Sequence, residues 1–197
     1  GGGAALMGLV TAVVGLLVVL VVLLLKASLQ RQRDEAWRSF AASRQLGWSN
    51  GQIAGVVSGF AVALLTETRG SGKQRHTVGV ARCSLDEVFS PGFSLERESF
   101  GDKVLQLVSG PDHQLGVPAL DSAFLLHNVD GPARRVLADP KVSAALLDCV
   151  QRYPQMRIGN GVLQLERSVP SSELELSAFL QDAVSLAQVV QRAKQKG

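Results

Sequence analysis

The chain has 197 residues, with 20 Lys+Arg against 17 Asp+Glu, 46% hydrophobic residues, 5% aromatics and two cysteines. That length accommodates one ordinary domain plus an accessory segment and excludes two large domains. The apolar and charged fractions exclude a wholly disordered chain, and two cysteines are too few for a disulfide-stapled mini-protein.

No charged residue occurs between Ala4 and Leu25, and Leu16–Leu25 is an unbroken run of Leu and Val. As a helix, these 22 residues reach roughly 33 Å, enough to cross a hydrocarbon core of about 30 Å. A cleaved signal peptide has a basic start, a shorter apolar run and a small-residue cleavage site. Here no Lys or Arg precedes the run, which ends in Leu23-Leu24-Leu25-Lys26. Residues 1–25 are therefore predicted to be a transmembrane anchor. Ala4, Gly8 and Ala12 recur every four positions, a small-residue stripe that would permit weak self-association, although such stripes also arise by chance in apolar helices.

Lys and Arg near a spanning helix favour the cytoplasmic side. Lys26, Arg31, Arg33 and Arg38 follow the apolar run, so the remainder of the chain is expected in the cytoplasm, with Lys26, Arg31 and Arg33 setting orientation and touching anionic lipid. The absence of an Asn-x-Ser/Thr sequon and the unpaired-looking Cys83 and Cys149 agree with that side. Residues 26–47 read as a juxtamembrane basic, amphipathic helix: Trp37, Phe40 and Ala41 share a face that would dock on the following domain, Asp34 and Arg38 stand at i,i+4, and Gly47 is the expected stop.

Residues 48–193 form the predicted globular domain. Strands are expected at Gln52–Val57, Phe60–Thr68 and Thr77–Cys83, with Ser49-Asn50-Gly51 as a turn and Arg69–Arg75 as a solvated hairpin loop. Shorter strands are expected at Phe93–Arg97, Val104–Leu107 and Ala123–His127. Pro132 and Pro140 open helices, the second behind Asp139 as N-cap. Val142, Ala145, Leu146, Cys149 and Val150 mark the apolar face of that second helix. Gly159-Asn160-Gly161 joins two strands, Gln155–Ile158 and Val162–Arg167. Ser172-x-x-Glu175 is a capping box for a closing helix carrying Leu176, Leu180, Ala183, Ala187 and Val190 on one face. The predicted class is α+β: an N-terminal transmembrane helix, then a mainly antiparallel sheet of short strands and hairpins packed by two or three helices. Residues 194–197 are a basic tail that, on this reading, could share the lipid surface.

The Trp37…Leu46-Gly47 spacing, the Gly55 and Gly59 region and the segment Leu120-Asp-Ser-Ala-Phe124-Leu-Leu-His127-Asn-Val-Asp130 belong to one pattern. It continues through Ala133-Arg-Arg-Val-Leu137, Ala145-Leu-Leu147 and the hairpin Arg157–Leu165. In this arrangement the chain resembles, over about residues 36–193, a family of bacterial membrane-anchored proteins defined only as a domain of unknown function. The resemblance implies the fold and the membrane location and carries no catalytic set.

Chemistry-bearing motifs are absent. Gly72-Lys73 is followed by Gln74, and position 67 is Glu, so a phosphate-binding loop fails at both ends. His76 and Cys83 lie on opposite faces of one strand, and His113 and His127 have no ligand at a metal-binding spacing. His127 beside Asp130 has the residue types of an acid/base pair. A surface histidine next to a turn aspartate is the commoner arrangement. Cys149 sits on an apolar helix face and is expected buried and inert. Cys83 is expected to be the more exposed thiol, with Arg82 as a neighbour that could lower its pKa. Glu96, Glu98 and Asp102 read as a solvated edge. No catalytic residue, cofactor or metal is predicted.

Nucleic acid is excluded as a partner by the location of charge. The segment 45–191 carries 12 Lys+Arg and 15 Asp+Glu, a net −3, and the basic surplus lies on either side of it. The expected partners are the bilayer and a protein at the membrane. The expected role is a single-pass protein of a bacterial inner membrane presenting a non-catalytic cytoplasmic interaction domain. The competing readings are an enzyme acting on a membrane-associated substrate and an extracytoplasmic domain on an uncleaved signal anchor.

Overall fold

The computed structural model describes residues 2–85, 88–97 and 115–196, apart from the Ala5 side chain. The expected strand Val104–Leu107, together with Glu98, Asp102 and His113, lies outside the described residues.

The anchor and the juxtamembrane segment form one uninterrupted helix, α1 (Gly2–Ser43). It is the one candidate membrane-crossing helix among the described residues, and the domain buries none of its apolar stretch. All 16 large apolar side chains from Leu6 to Leu25 are 43–76% exposed. A water-soluble surface tolerates an apolar patch of only a few hundred Å², so this surface requires another apolar phase.

Only the last turns of α1 enter the domain: Trp37, Phe40 and Ala41 are buried on one face, as their spacing predicts. The Trp37 indole N–H donates to the Pro170 carbonyl at 2.9 Å, and its ring meets the Trp48 ring edge-on at 6.2 Å. The expected stop at Gly47 is corrected. Gln45 adopts the left-handed conformation (φ 57°), Leu46 N–H donates to the Ala41 carbonyl and Gln45 N–H to the Ala42 carbonyl. This is a Schellman termination, in which burial of Leu46 draws the chain inward. Gly47 instead opens a strand and approaches Ala54, whose carbonyl oxygen a Cβ at Gly47 would meet at 3.3 Å.

The sheet comprises β1 (Gly47–Ser49), β2 (Gln52–Val57), β3 (Phe60–Arg69), β4 (His76–Ser84), β5 (Ser94–Arg97), β6 (Phe124–His127), β7 (Arg157–Gly159) and β8 (Val162–Ser168). The helices after α1 are α2 (Pro118–Ala123), α3 (Gly131–Ala138), α4 (Pro140–Arg152) and α5 (Glu173–Gln195). The strands lie in the order β1-β2-β3-β4-β8-β7-β5-β6, every pairing antiparallel. Asn50-Gly51 and Asn160-Gly161 supply the paired positive φ angles of tight hairpin turns. Asp130 and Asp139 cap α3 and α4 through their carboxylates, each helix starting with Pro in its first turn. Ser172 caps α5 as predicted, while Glu175 reaches back to Ser171 N–H and Oγ rather than to the capping residue itself.

One apolar core lies between the helices and a single face of the sheet. Phe60, Val62 and Leu64 of β3, Ala81 and Cys83 of β4 and Leu163 and Leu165 of β8 face Leu176, Phe179, Ala183, Ala187 and Val190 of α5 within one cluster. The alternating strand positions form the other face, which carries no described helix.

Candidate functional site

Strand alternation places Glu67 and Arg69 of β3, Arg82 of β4, Gln164 and Glu166 of β8, Arg157 of β7 and Glu96 of β5 on the helix-free face, in adjacent ladder positions. These residues form a connected network. Arg69 bridges Glu67 at 2.6 Å and Glu166 at 2.8 Å, and Arg82 pairs with Glu67 and donates to Gln164 at 3.1 Å. Arg157 donates to the same Gln164 oxygen at 3.4 Å. Gln164 is only 5% exposed, so its side-chain oxygen is held in place by two guanidinium donors. Hydrogen bonding to Glu166, and then to Glu67, holds the Arg69 guanidinium more basic than usual.

Beside the network opens a cavity of about 550 Å³ lined by Arg82, Ser94, Glu96, Arg157, Asn160 and Gln164 with the Gly92-Phe93 and Ile158-Gly159 backbones. A second recess of about 260 Å³ shares Glu96, Arg157 and Gln164 and continues toward Arg69 and Glu166. Among the described residues the lining contains no His or Cys and a single hydroxyl, Ser94. Such a surface offers fixed charges and amide hydrogen bonds to a polar partner. Its sequence signal is the charged residue at every second position of Glu67-Thr-Arg69 and the polar/apolar alternation of Gln164-Leu-Glu166, a pattern that becomes meaningful only when the strands pair.

The described residues singled out by sequence are placed as follows. Asp130 is engaged as the cap of α3, accepting from Ala133 N–H at 2.8 Å. His127 lies half-buried at the end of β6 opposite Ser94. Cys83 corrects the expectation of an exposed, activated thiol: it points into the core opposite Val62 and Leu163, fully buried, and burial pushes its pKa up to about 12. Arg82 lies on the other face, as alternation requires. Cys149 is buried as expected, and desolvation likewise pushes its pKa up to about 12. His76 and Cys83 occupy opposite faces of β4, and among the described residues no three His, Cys, Asp or Glu side chains converge to hold a metal ion.

Lys26 and Arg31 are exposed on α1, and Arg33 is half-buried beside Gln30, whose amide also donates to Asp34 at 2.9 Å. Ala4, Gly8 and Ala12 lie exposed along the apolar stretch. Comparison with known proteins returned no match: no family model, no curated protein and no solved structure matches the chain.

Proposed function

We propose that the chain is a single-pass protein of a bacterial inner membrane that holds a non-catalytic α+β interaction domain at the cytoplasmic face. The observation that carries this reading is the continuity of α1, which passes from a fully exposed apolar stretch into the domain core without a break. A flexible linker would only tether the domain. A continuous helix clamped by Trp37, Phe40 and Ala41 also fixes its orientation. Confinement to the membrane raises the effective concentration of the domain for partners in the same plane. Lys26, Arg31 and Arg33 support the cytoplasmic side through the positive-inside rule, and the polar network around Gln164 is the surface offered to a protein partner.

The test fuses to Gly197 a reporter active on only one side of the membrane and places a photo-crosslinking residue at Glu96 or, separately, at Lys141 on the helical side. Cytoplasmic reporter activity and a defined crosslinked species from Glu96 that is absent from Lys141 are expected. Reporter activity outside overturns the orientation. Turnover of a membrane metabolite by the purified chain, without a crosslinked partner, replaces the interaction role by an enzymatic one.

A further inference from the structure

We infer that the β3–β4 hairpin loop, Gly70–Arg75, is a second lipid-contacting element that rests on the anionic surface of the membrane in which α1 is anchored. The inference depends on the anchor reading above and adds to it a second, electrostatic point of attachment that fixes the tilt of the domain.

The height of each element along the sheet follows from two contacts of α1. Trp37 bonds Pro170, and Pro170 packs on Gly79 so closely that a Cβ there would lie 2.7 Å from Pro170 Cδ. Leu46 packs on Gly55, where a Cβ would meet Leu46 Cδ2 at 2.6 Å. In the ladder Gly79 pairs with Thr66, whereas Gly55 pairs with Val62 and Val62 with Cys83. Helix α1 therefore advances from the Thr66 level toward the Val62 level, and its membrane end lies on the side toward which β3 runs out to Arg69. The β3–β4 loop is at that end.

The lengths agree. From Trp37 back to Lys26 is 11 residues of helix, about 16 Å. Beyond the Thr66–Gly79 pair the hairpin continues for three more pairs, to Arg69–His76, about 10 Å. The six-residue loop then covers the remaining distance. The tip thus comes within a few Å of the height of Lys26, where the apolar stretch ends.

Charge and surface chemistry fit the same occupant. Residues 70–77 are all exposed, and no Asp or Glu occurs between Glu67 and Leu85 in the described chain. Arg69 is committed to Glu67 and Glu166, but Lys73 and Arg75 make no ion pair among the described residues. The start of α5 is at the same end, since it follows Pro170, and there Leu174 is 81% exposed, the most exposed of the large apolar side chains. The opposing charges at this end are Glu173 and Glu175 in the first turn of α5 and Asp34 and Glu35 on α1. A pair of free cations at the same end of the domain as a protruding leucine suits an anionic headgroup layer. The basic C-terminal tail does not share this surface. α5 (Glu173–Gln195) starts just after Pro170 and carries Gln191 into a recess with Phe60, Ala61 and Ser84 at the opposite end of the sheet.

The full chain, reconstituted into vesicles of phosphatidylcholine with or without phosphatidylglycerol, carries an environment-sensitive fluorophore at Ser71→Cys, Ser58→Cys or Ser28→Cys, with headgroup-nitroxide lipid as quencher. Ser58 lies in the β2–β3 turn at the opposite end of the sheet. In anionic vesicles quenching is expected at positions 28 and 71 and not at 58. Each cation near an anionic leaflet favours the docked state by about fivefold, so K73E/R75E lowers the docked-to-undocked ratio by at least about 25-fold and returns quenching at 71 to the level at 58. Raising salt to about 0.5 M has the same direction of effect. Quenching at 28 without quenching at 71, or equal quenching at 58 and 71, overturns the hairpin contact while leaving the anchor intact. No quenching at 28 refutes the anchor reading, and the hairpin contact falls with it.

Discussion

Trp37→Ala tests whether α1 is fixed to the domain or merely attached to it. The indole is 3% exposed, and an aromatic side chain of this kind buries about 200 Å². At about 25 cal/mol per Å² that area contributes about 5 kcal/mol, reduced by roughly a quarter because the unfolded chain is already partly compact. Losing the N–H that satisfies the Pro170 carbonyl adds about 1 kcal/mol. The expected destabilisation is about 4–5 kcal/mol, a large fraction of the 5–15 kcal/mol typical of a domain. Urea unfolding of the full chain in detergent micelles, followed by far-UV circular dichroism and the fluorescence of the remaining Trp48, should show the midpoint falling by about 2 M for a slope near 2 kcal/mol/M. Trp37→Phe keeps most of the ring area and loses only the donor, so its cost should be about 1–2 kcal/mol. A midpoint for the alanine variant within about 0.3 M of the wild type would refute the clamp. A phenylalanine variant as damaged as the alanine variant would assign the stability to the hydrogen bond rather than to the buried ring.

Gly79→Ala and Gly55→Ala should differ, although each introduces a Cβ closer than 3 Å to a neighbour. At Gly79 the neighbour is the rigid Pro170 ring backed by Val169 Cα at 3.4 Å, and about 1–3 kcal/mol of overpacking is expected; at Gly55 it is the mobile end of Leu46, and a cost below about 1 kcal/mol should appear in the same urea titration. Equal costs would contradict the close packing of Pro170. Cys83 and Cys149 should resist a maleimide at pH 8 until urea unfolds the domain, because both are buried with pKa values pushed up to about 12; prompt native labelling by mass spectrometry would refute their placement. The Ser171 N–H and Oγ, with Arg167 further off, hold the Glu175 carboxylate below its usual pKa. Its contribution is therefore complete above about pH 4.3, the unfolded value, and is lost as the pH falls through the depressed folded value. Glu175→Gln should flatten the acid limb of a stability-against-pH curve, and an unchanged limb would count against the cap.

Features governed by local chemistry were legible in the sequence. The long apolar N-terminal helix, the Asn-Gly turns, the Asp139 and Ser172 caps and the Trp37-Phe40-Ala41 face depend on contacts within a few residues, and each occurs where expected. The stop of α1 was misplaced because Gly47 satisfies the compositional rule, whereas the actual terminator, Gln45, is forced into a left-handed conformation by burial of Leu46 against the sheet. Helix α2 is too short for an apolar period to mark it among the prolines, although Pro118 occupies its first turn. Cys83 was assigned to the wrong face for a related reason. Alternation separates it from Arg82, but which of the two faces the core is decided by the pairing of β4 with β8, from residues about 80 positions later.

The polar network on the helix-free face has the same long-range origin. Glu67, Arg82, Gln164 and Glu166 come from three strands, and the buried Gln164 accepts from Arg82 on one neighbouring strand and Arg157 on the other. Strand order also determines which end of the domain lies toward the apolar stretch of α1. Because β4 returns beside β3 and Pro170 follows β8 back to Gly79, the Pro170 carbonyl stands where Trp37 can reach it. A two-residue slip of that register would shift the hairpin by about 7 Å against α1. The position of Lys73 and Arg75 along the direction of α1 is thus set by the ladder, and the ladder is held to α1 through the buried Trp37, Phe40, Ala41 and Leu46.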